Sequence, residues 1–550
     1  MPACTKAWGR PARCSARRPR RRRPVIIPTH GPASRCMGGP ETGRLPAVRR
    51  HRRRRCIRQR RRGSVHHGTT ARPRNRPMKT VPSRRPQACT RPKRATALRA
   101  CAAAAALLML AACGGGGGGD SAPVANPPPT TPTPAAGPVV LVQVATGTDV
   151  AALARARNAT VAEQFGRRPI YRLQLPAGAN ADTVAAALAT TPGVVFAEPD
   201  LPNETPETTR NTVWVIGGDS GTYATQWAPQ TLRLADAHTR STGAGVRVAV
   251  LDTGIDATHP AFAGRLARRA DGSLLGRDFV DDDDNPAEEG SRSDTGYGHG
   301  THVAGLVALA APGAMLMPLR VLDRAGRGNA WVLAEALAWA VDPDANPATD
   351  DGAHVINMSL GSTRPTRLLA VAVALANCEF SDDDDNFKDA GFDDDRARCT
   401  QGRNAAVISA AGNAGSPDER VYPAAESAPG TRAVGATSQA QRLAAFSNSG
   451  GWIKLAAPGE LIVSAVPGGG YGTWSGTSMA APLAAGTAAL VLGTPSPSPV
   501  PGATALRQWR AEDLMKRLED RSKPVCGAAL RQIDAAAAVS NTPAPAPACP

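Results

Sequence analysis

The sequence predicts an α/β protein: a large domain on a mainly parallel sheet, preceded by a small α/β domain. Two observations point there. From about residue 223 to 540, short apolar runs at 246–251, 353–358 and 405–410 alternate with helical stretches near 303–310, 331–341, 367–376 and 479–492. That alternation is expected of strands joined by crossover helices. Before it, residues 138–200 read as strand, helix, strand, helix, strand within roughly 60 residues, enough for a small sheet backed by helices. The strands fall at 139–144, 171–175 and 194–200, and the helices around 151–162 and 181–190.

Charge separates the rest of the chain from these domains. The whole sequence carries +19, yet residues 1–77 hold about 23 arginines and almost no acid, and residues 78–113 add about +7. Everything after Cys113 is therefore net acidic, at roughly −11. Runs such as Arg52 to Arg55 have few aromatics beside them to stack on bases, so no nucleic-acid role is expected. Met78 opens a more sensible N-terminus, and residues 1–77 are expected to lie outside the natural product.

From Met78 the order is a basic stretch, an apolar run over about 100–112, and Cys113, the layout of a signal peptide. The run falls short of the ~20 apolar residues of a membrane span. Leu110-Ala111-Ala112-Cys113 resembles the lipobox of bacterial lipoproteins, which implies an acylated Cys113, attachment to a membrane, and export to the cell envelope or release after processing. The glycines and prolines of 114–137 read as a flexible linker. Residues 201–222 are polar, with Pro202, Pro206 and Gly217, and read as an exposed connection suited to processing.

Four cysteines remain for the folded part. Cys378 and Cys399 flank an acidic insertion, and Cys526 and Cys549 flank the C-terminal tail, whose last residues, 541–550, look irregular. Two local disulfides are expected, consistent with an oxidising compartment, although four cysteines allow three pairings.

Three segments carry chemistry. Val248-Ala249-Val250-Leu251-Asp252-Thr253-Gly254 ends a buried strand on an acid. Gly298-His299-Gly300-Thr301-His302 places a histidine among glycines where an apolar helix starts. Gly476-Thr477-Ser478-Met479-Ala480 sets a serine at another helix start. Each has an ordinary structural explanation, such as a turn-capping acid or an N-cap serine. Together they supply a carboxylate, an imidazole and a hydroxyl. An alcohol needs a neighbouring base to become a nucleophile near neutral pH, and the base must begin uncharged.

In the order Asp, His, Ser these segments resemble the subtilisin-like serine proteases, over about residues 226–539. The resemblance implies a three-layer subtilisin-like domain and a zymogen-type serine endopeptidase acting as a monomer on protein or peptide substrates. Ser478 would be the nucleophile, His299 the base and then the acid, and Asp252 the residue orienting His299; His302 would be structural. Ala410-Ala411-Gly412-Asn413 resembles the family's oxyanion segment, with Asn413 as donor. Ser359, Leu360 and Gly361 would form the substrate-binding edge, with Ala410, Ala411 and Gly412 on the opposite wall. Residues 138–200 resemble the family's inhibitory propeptides, which makes the chain's own propeptide a partner.

The chemistry needs no cofactor. Structural calcium is the metal suggested by the acidic runs at Asp281 to Asp284, Asp382 to Asp385 and Asp393 to Asp395, but their irregular spacing favours solvated loops. The rival function is a catalytically silent envelope protein that binds peptides on the same fold.

Overall fold

The computed structural model describes residues 137–209, 214–380, 387, 390–426, 428–547 and 549. The arginine-rich start, the signal-like run with Cys113, the glycine linker and Asp382 to Asp385 lie outside them. No described helix is long and apolar enough to cross a membrane.

The small domain is an antiparallel sheet of strands Thr160–Gln164, Ile170–Gln174, Val139–Val144 and Val194–Pro199, in that spatial order. Helix Ala181–Ala189 packs on it, burying Ala185 and Leu188. The first helix is shorter than its composition suggested, Val150–Arg155, and the chain then forms the extra strand Thr160–Gln164. All five residues of that strand are exposed, so no buried face imposes the alternation by which strands are recognised.

In the large domain, strands run in the order Lys523–Pro524, Arg531–Gln532, Leu455–Pro458, Thr431–Thr437, Ala406–Ala410, Val355–Met358, Arg247–Asp252, Met315–Arg320 and Arg277–Asp278. All neighbours are parallel except the first pair. The central strands are almost entirely apolar and buried, as expected of a sheet covered on both faces. Helices His299–Ala310 and Thr477–Leu492 share one core, and Ala330–Val341 and Arg367–Asn377 share the other. The sheet therefore lies between two helical layers.

The small domain docks on the second helical layer. Leu141, Phe165, Ile170 and Phe196 join the core that contains Trp331 and Leu360, and Phe165 meets Trp331 edge-on at 5.9 Å. Each such side chain contributes about 1.5–3 kcal/mol on burial, so apolar contact supplies most of the grip. Polar contacts set its register. Glu198 accepts hydrogen bonds from Arg367 N at 2.7 Å and Leu368 N at 2.9 Å, and Asp200 accepts one from Trp331 N at 3.1 Å. Both carboxylates thus face the positive end of a helix dipole.

Disulfides join Cys378 to Cys399 and Cys526 to Cys549. The first closes the acidic insertion, part of which forms helix Asp393–Thr400. Asp393 and Asp394 remain largely exposed, Asp394 meeting Arg167 at 3.0 Å, but Asp395 is buried and takes a bidentate pair from Arg168 at 2.9 and 2.7 Å. These arginines belong to a turn of the small domain.

Docking should weaken as pH rises. Burial raises Asp200 to about 6, against the pull of the Trp331 N–H and Arg172, and burial likewise raises Glu198. A carboxyl that holds its proton more tightly docked than free favours docking at low pH. The Asp200 advantage is full below its ordinary pKa of 3.8 and is lost as pH rises through about 6. Two pKa units allow up to about a hundredfold change in affinity. In a Ser478→Ala chain, amide protection at Ala330 and Trp331, corrected for intrinsic exchange, should fall at least several-fold between pH 4.5 and 6.5. An Asp200→Asn chain with the same slope would refute the assignment.

Candidate active site

Asp252 ends the central strand Arg247–Asp252 and is 1% exposed. Its Oδ1 accepts a hydrogen bond from Thr253 N at 2.8 Å and lies 2.6 Å from His299 Nδ1. His299 is the first residue of helix His299–Ala310. The helix comes this close because residue 300 is glycine: a Cβ there would stand 2.2 Å from Gly254 O and 3.2 Å from Asp252 Cβ.

Glu288 supports that junction, and no motif announced it. One oxygen accepts from Gly298 N and Thr253 Oγ1, the other from Thr301 N and Thr301 Oγ1. Burial pushes its pKa up, opposed by the threonine hydrogen bonds. The only sequence signal was an acid shortly before a histidine helix that lacks its own side-chain cap. His302 lies stacked on Trp474, with ring centroids 5.0 Å apart, and its Nε2 faces Gly472 O at 3.1 Å. Burial drives it down to about 3, so it stays neutral.

Ser478 is the second residue of helix Thr477–Leu492, which starts at Gly476 with no side-chain cap. Asn413 follows strand Ala406–Ala410. Its Oδ1 accepts from Thr477 N at 2.9 Å and Thr477 Oγ1 at 2.8 Å, which aims Nδ2 toward the space beside Ser478. Such an array can activate a hydroxyl, hold the imidazolium formed and donate to a developing oxyanion.

Ser478 and His299 meet through a third group, the carboxylate of Glu207. Its Oε2 accepts from Ser478 Oγ at 2.8 Å and lies 3.2 Å from His299 Nε2, out of line for a good hydrogen bond, so that second contact is one of charge. Burial opposes a charged His299, but Asp252 and Glu207 outweigh it and hold the pKa up at about 10.

Of the expected edge, Gly361 lines the cleft and pairs with Glu204, whereas Ser359 and Leu360 are fully buried, Leu360 in the core with Trp331. The second edge, strand Arg327–Asn329, was missed in the sequence; it pairs with Pro202–Glu204. Ala410 and Ala411 are fully buried in the cores, and Gly412, Asn413 and Ala414 line the cleft in their place. The connection is thus not exposed throughout: Asn203 and Thr205 are each 1% exposed, while residues 217–222 are exposed as expected.

The run Asp281 to Asp284 is paired with arginines. Asp281 pairs with Arg320 at 2.5 Å, Asp282 with Arg277, and Asp284 with Arg269 at 3.3 Å. Among the described residues, Asp342, Asp344 and Asp351 bring one carboxylate oxygen each within 4.8 Å of one another.

A buried acid, a histidine and a helix-borne serine gathered at the end of a parallel sheet define a serine-hydrolase type of site. The model of the subtilase family matches residues 243–518, and that of the fervidolysin N-terminal prodomain matches residues 138–200. The chain is 34% identical over 323 residues to the thermophilic serine proteinase of Bacillus sp. (strain AK1), covering 57% of this chain and 66% of that protein. It is 33% identical over 276 residues to thermitase of Thermoactinomyces vulgaris, covering 48% and 81%. With subtilisin BL of Lederbergia lenta it shares 36% over 275 residues, covering 48% and 83%. The chain belongs to the subtilase family, serine proteases, and carries an N-terminal prodomain.

Proposed function

We propose that the protein is an exported endopeptidase in which Ser478 attacks the peptide carbonyl, His299 takes its proton, and Asp252 orients and stabilises the imidazolium. Asn413 Nδ2 and the backbone N–H groups at the start of the Ser478 helix receive the oxyanion. His299 then protonates the leaving amine, and water releases the acyl group from Ser478 by the same steps in reverse. The observation that carries this reading is the 2.6 Å Asp252–His299 contact, with Ser478 Oγ and Asn413 Nδ2 converging on one carboxylate, each donating to a different oxygen of Glu207.

A cleft with a backbone edge on each side suits an extended chain held along its middle, which supports endopeptidase action. Export and a lipid anchor on Cys113 rest on the signal layout and lipobox, with the disulfides consistent with an oxidising compartment. No step needs a cofactor; calcium would fit the Asp342, Asp344 and Asp351 group better than the arginine-paired run.

Fluorophosphonate labelling tests the reading. Protein cleaved beyond Glu207, and so freed of residues 138–200 and of that carboxylate, should label, and its Ser478→Ala variant should not. Folded, freed wild type that stays unlabelled would favour the silent peptide binder.

A further inference from the structure

The segment leaving the prodomain enters the cleft as an added strand. Glu204 N donates to Gly361 O, and Gly361 N to Glu204 O, each at 3.0 Å. On the other side Asn203 pairs with Gly328, and Thr205 N donates to Gly326 O at 3.1 Å. A chain held this way should next bring a peptide unit to Ser478, but the next residue is Pro206. Proline has no N–H to extend the ladder, and its fixed φ suits the first position of a helix. The backbone turns helical at Pro206–Thr209, and the group that reaches the nucleophile is the side chain of Glu207.

That carboxylate uses both oxygens. Oε2 takes the Ser478 hydroxyl proton donor at 2.8 Å and lies 3.2 Å from His299 Nε2; Oε1 takes Asn413 Nδ2 at 2.9 Å. The space exists because residue 476 is glycine: a Cβ there would fall 2.0 Å from Glu207 Oε1. One oxygen on the oxyanion donor and the other between nucleophile and base is the arrangement of the acid product of peptide hydrolysis before it leaves. A carboxylate is also inert to attack, being already anionic and without a leaving group.

We propose that Glu207 is a built-in product mimic, a side-chain carboxylate that plugs the catalytic centre of the uncleaved chain and keeps it silent. The proposal rests on the serine-protease reading of the same site. It separates two devices: the folded prodomain at 138–200 supplies grip, and a single residue outside it supplies the chemical block. The charge on Glu207 acts on the base as well. Beside two carboxylates His299 holds its proton, and an imidazolium cannot accept one from Ser478.

The test uses the full chain with Glu207→Ala and Glu207→Gln, the second keeping shape without charge. Fluorophosphonate labelling of the intact precursor is followed on gels that separate it from processed enzyme. Both variant precursors should label about tenfold faster or more than wild type, the weight of one charge-assisted hydrogen bond, and should disappear sooner. Equal labelling of the three precursors, with processed wild type labelling readily, would overturn the plug alone. Absence of labelling in every form, processed wild type included, would overturn the protease reading and the plug with it.

Discussion

Replacing His299 by alanine should lower turnover about 10⁶-fold, and replacing Ser478 as well should cost little more; the magnitude is taken over from subtilisin itself. The reason is mutual dependence. Without a base the hydroxyl is a weak nucleophile, and without the hydroxyl the base has nothing to deprotonate, so each loss removes the same step. What survives is binding and oxyanion stabilisation by Asn413 and the Ser478 helix, which neither substitution touches. The measurement is hydrolysis of a chromogenic peptide by single and double variants, each freed of residues 138–200 and of Glu207 by an added protease because self-processing is lost too. Losses that multiply would show that the two side chains act in separate steps and would sink the nucleophile–base pairing.

What sequence could reveal follows from where the information lies. Asp252, His299, Ser478 and Asn413 each sit inside a contiguous run whose glycines and small residues exist to let helices and strands approach, as Gly300 does against Gly254. A run of this kind is visible without the fold. The parallel sheet was legible for a similar reason, since strands covered on both faces must be apolar throughout. Glu207 and Glu288 were not legible: each is one acid among many, and its meaning comes from Ser478 or Thr301, far away or on another element. The acidic insertion misled in the same way. Asp395 looks as solvated as its neighbours until Arg168, more than two hundred residues earlier, is brought against it. The cleft segment 201–209 reads as a loop because its partners, Gly361 and Arg327–Asn329, lie outside any local window.

Asp252→Asn should cost about 10⁴-fold in turnover, the size of loss such a change brings in other serine proteases. Asp252 Oδ1 already serves both Thr253 N and His299 Nδ1, so an asparagine that keeps its oxygen there would put an N–H₂ group where Oδ2 now sits, buried and without a hydrogen-bond partner. An unpaired buried donor costs about 1–3 kcal/mol, which presses the amide to flip and present N–H to the ring, holding the imidazole in the wrong tautomer. In either orientation the charge is gone. Asp252 is the strongest group raising His299 against the opposing effect of burial, so its loss must lower the pKa of the base. A base must be neutral to act, and a lower pKa leaves it neutral at lower pH. The acid limb of the kcat/KM profile of the processed enzyme should therefore move to lower pH while the plateau falls. A plateau that falls with the acid limb unmoved would mean that Asp252 only holds the strand end in place and that its charge does not act on His299.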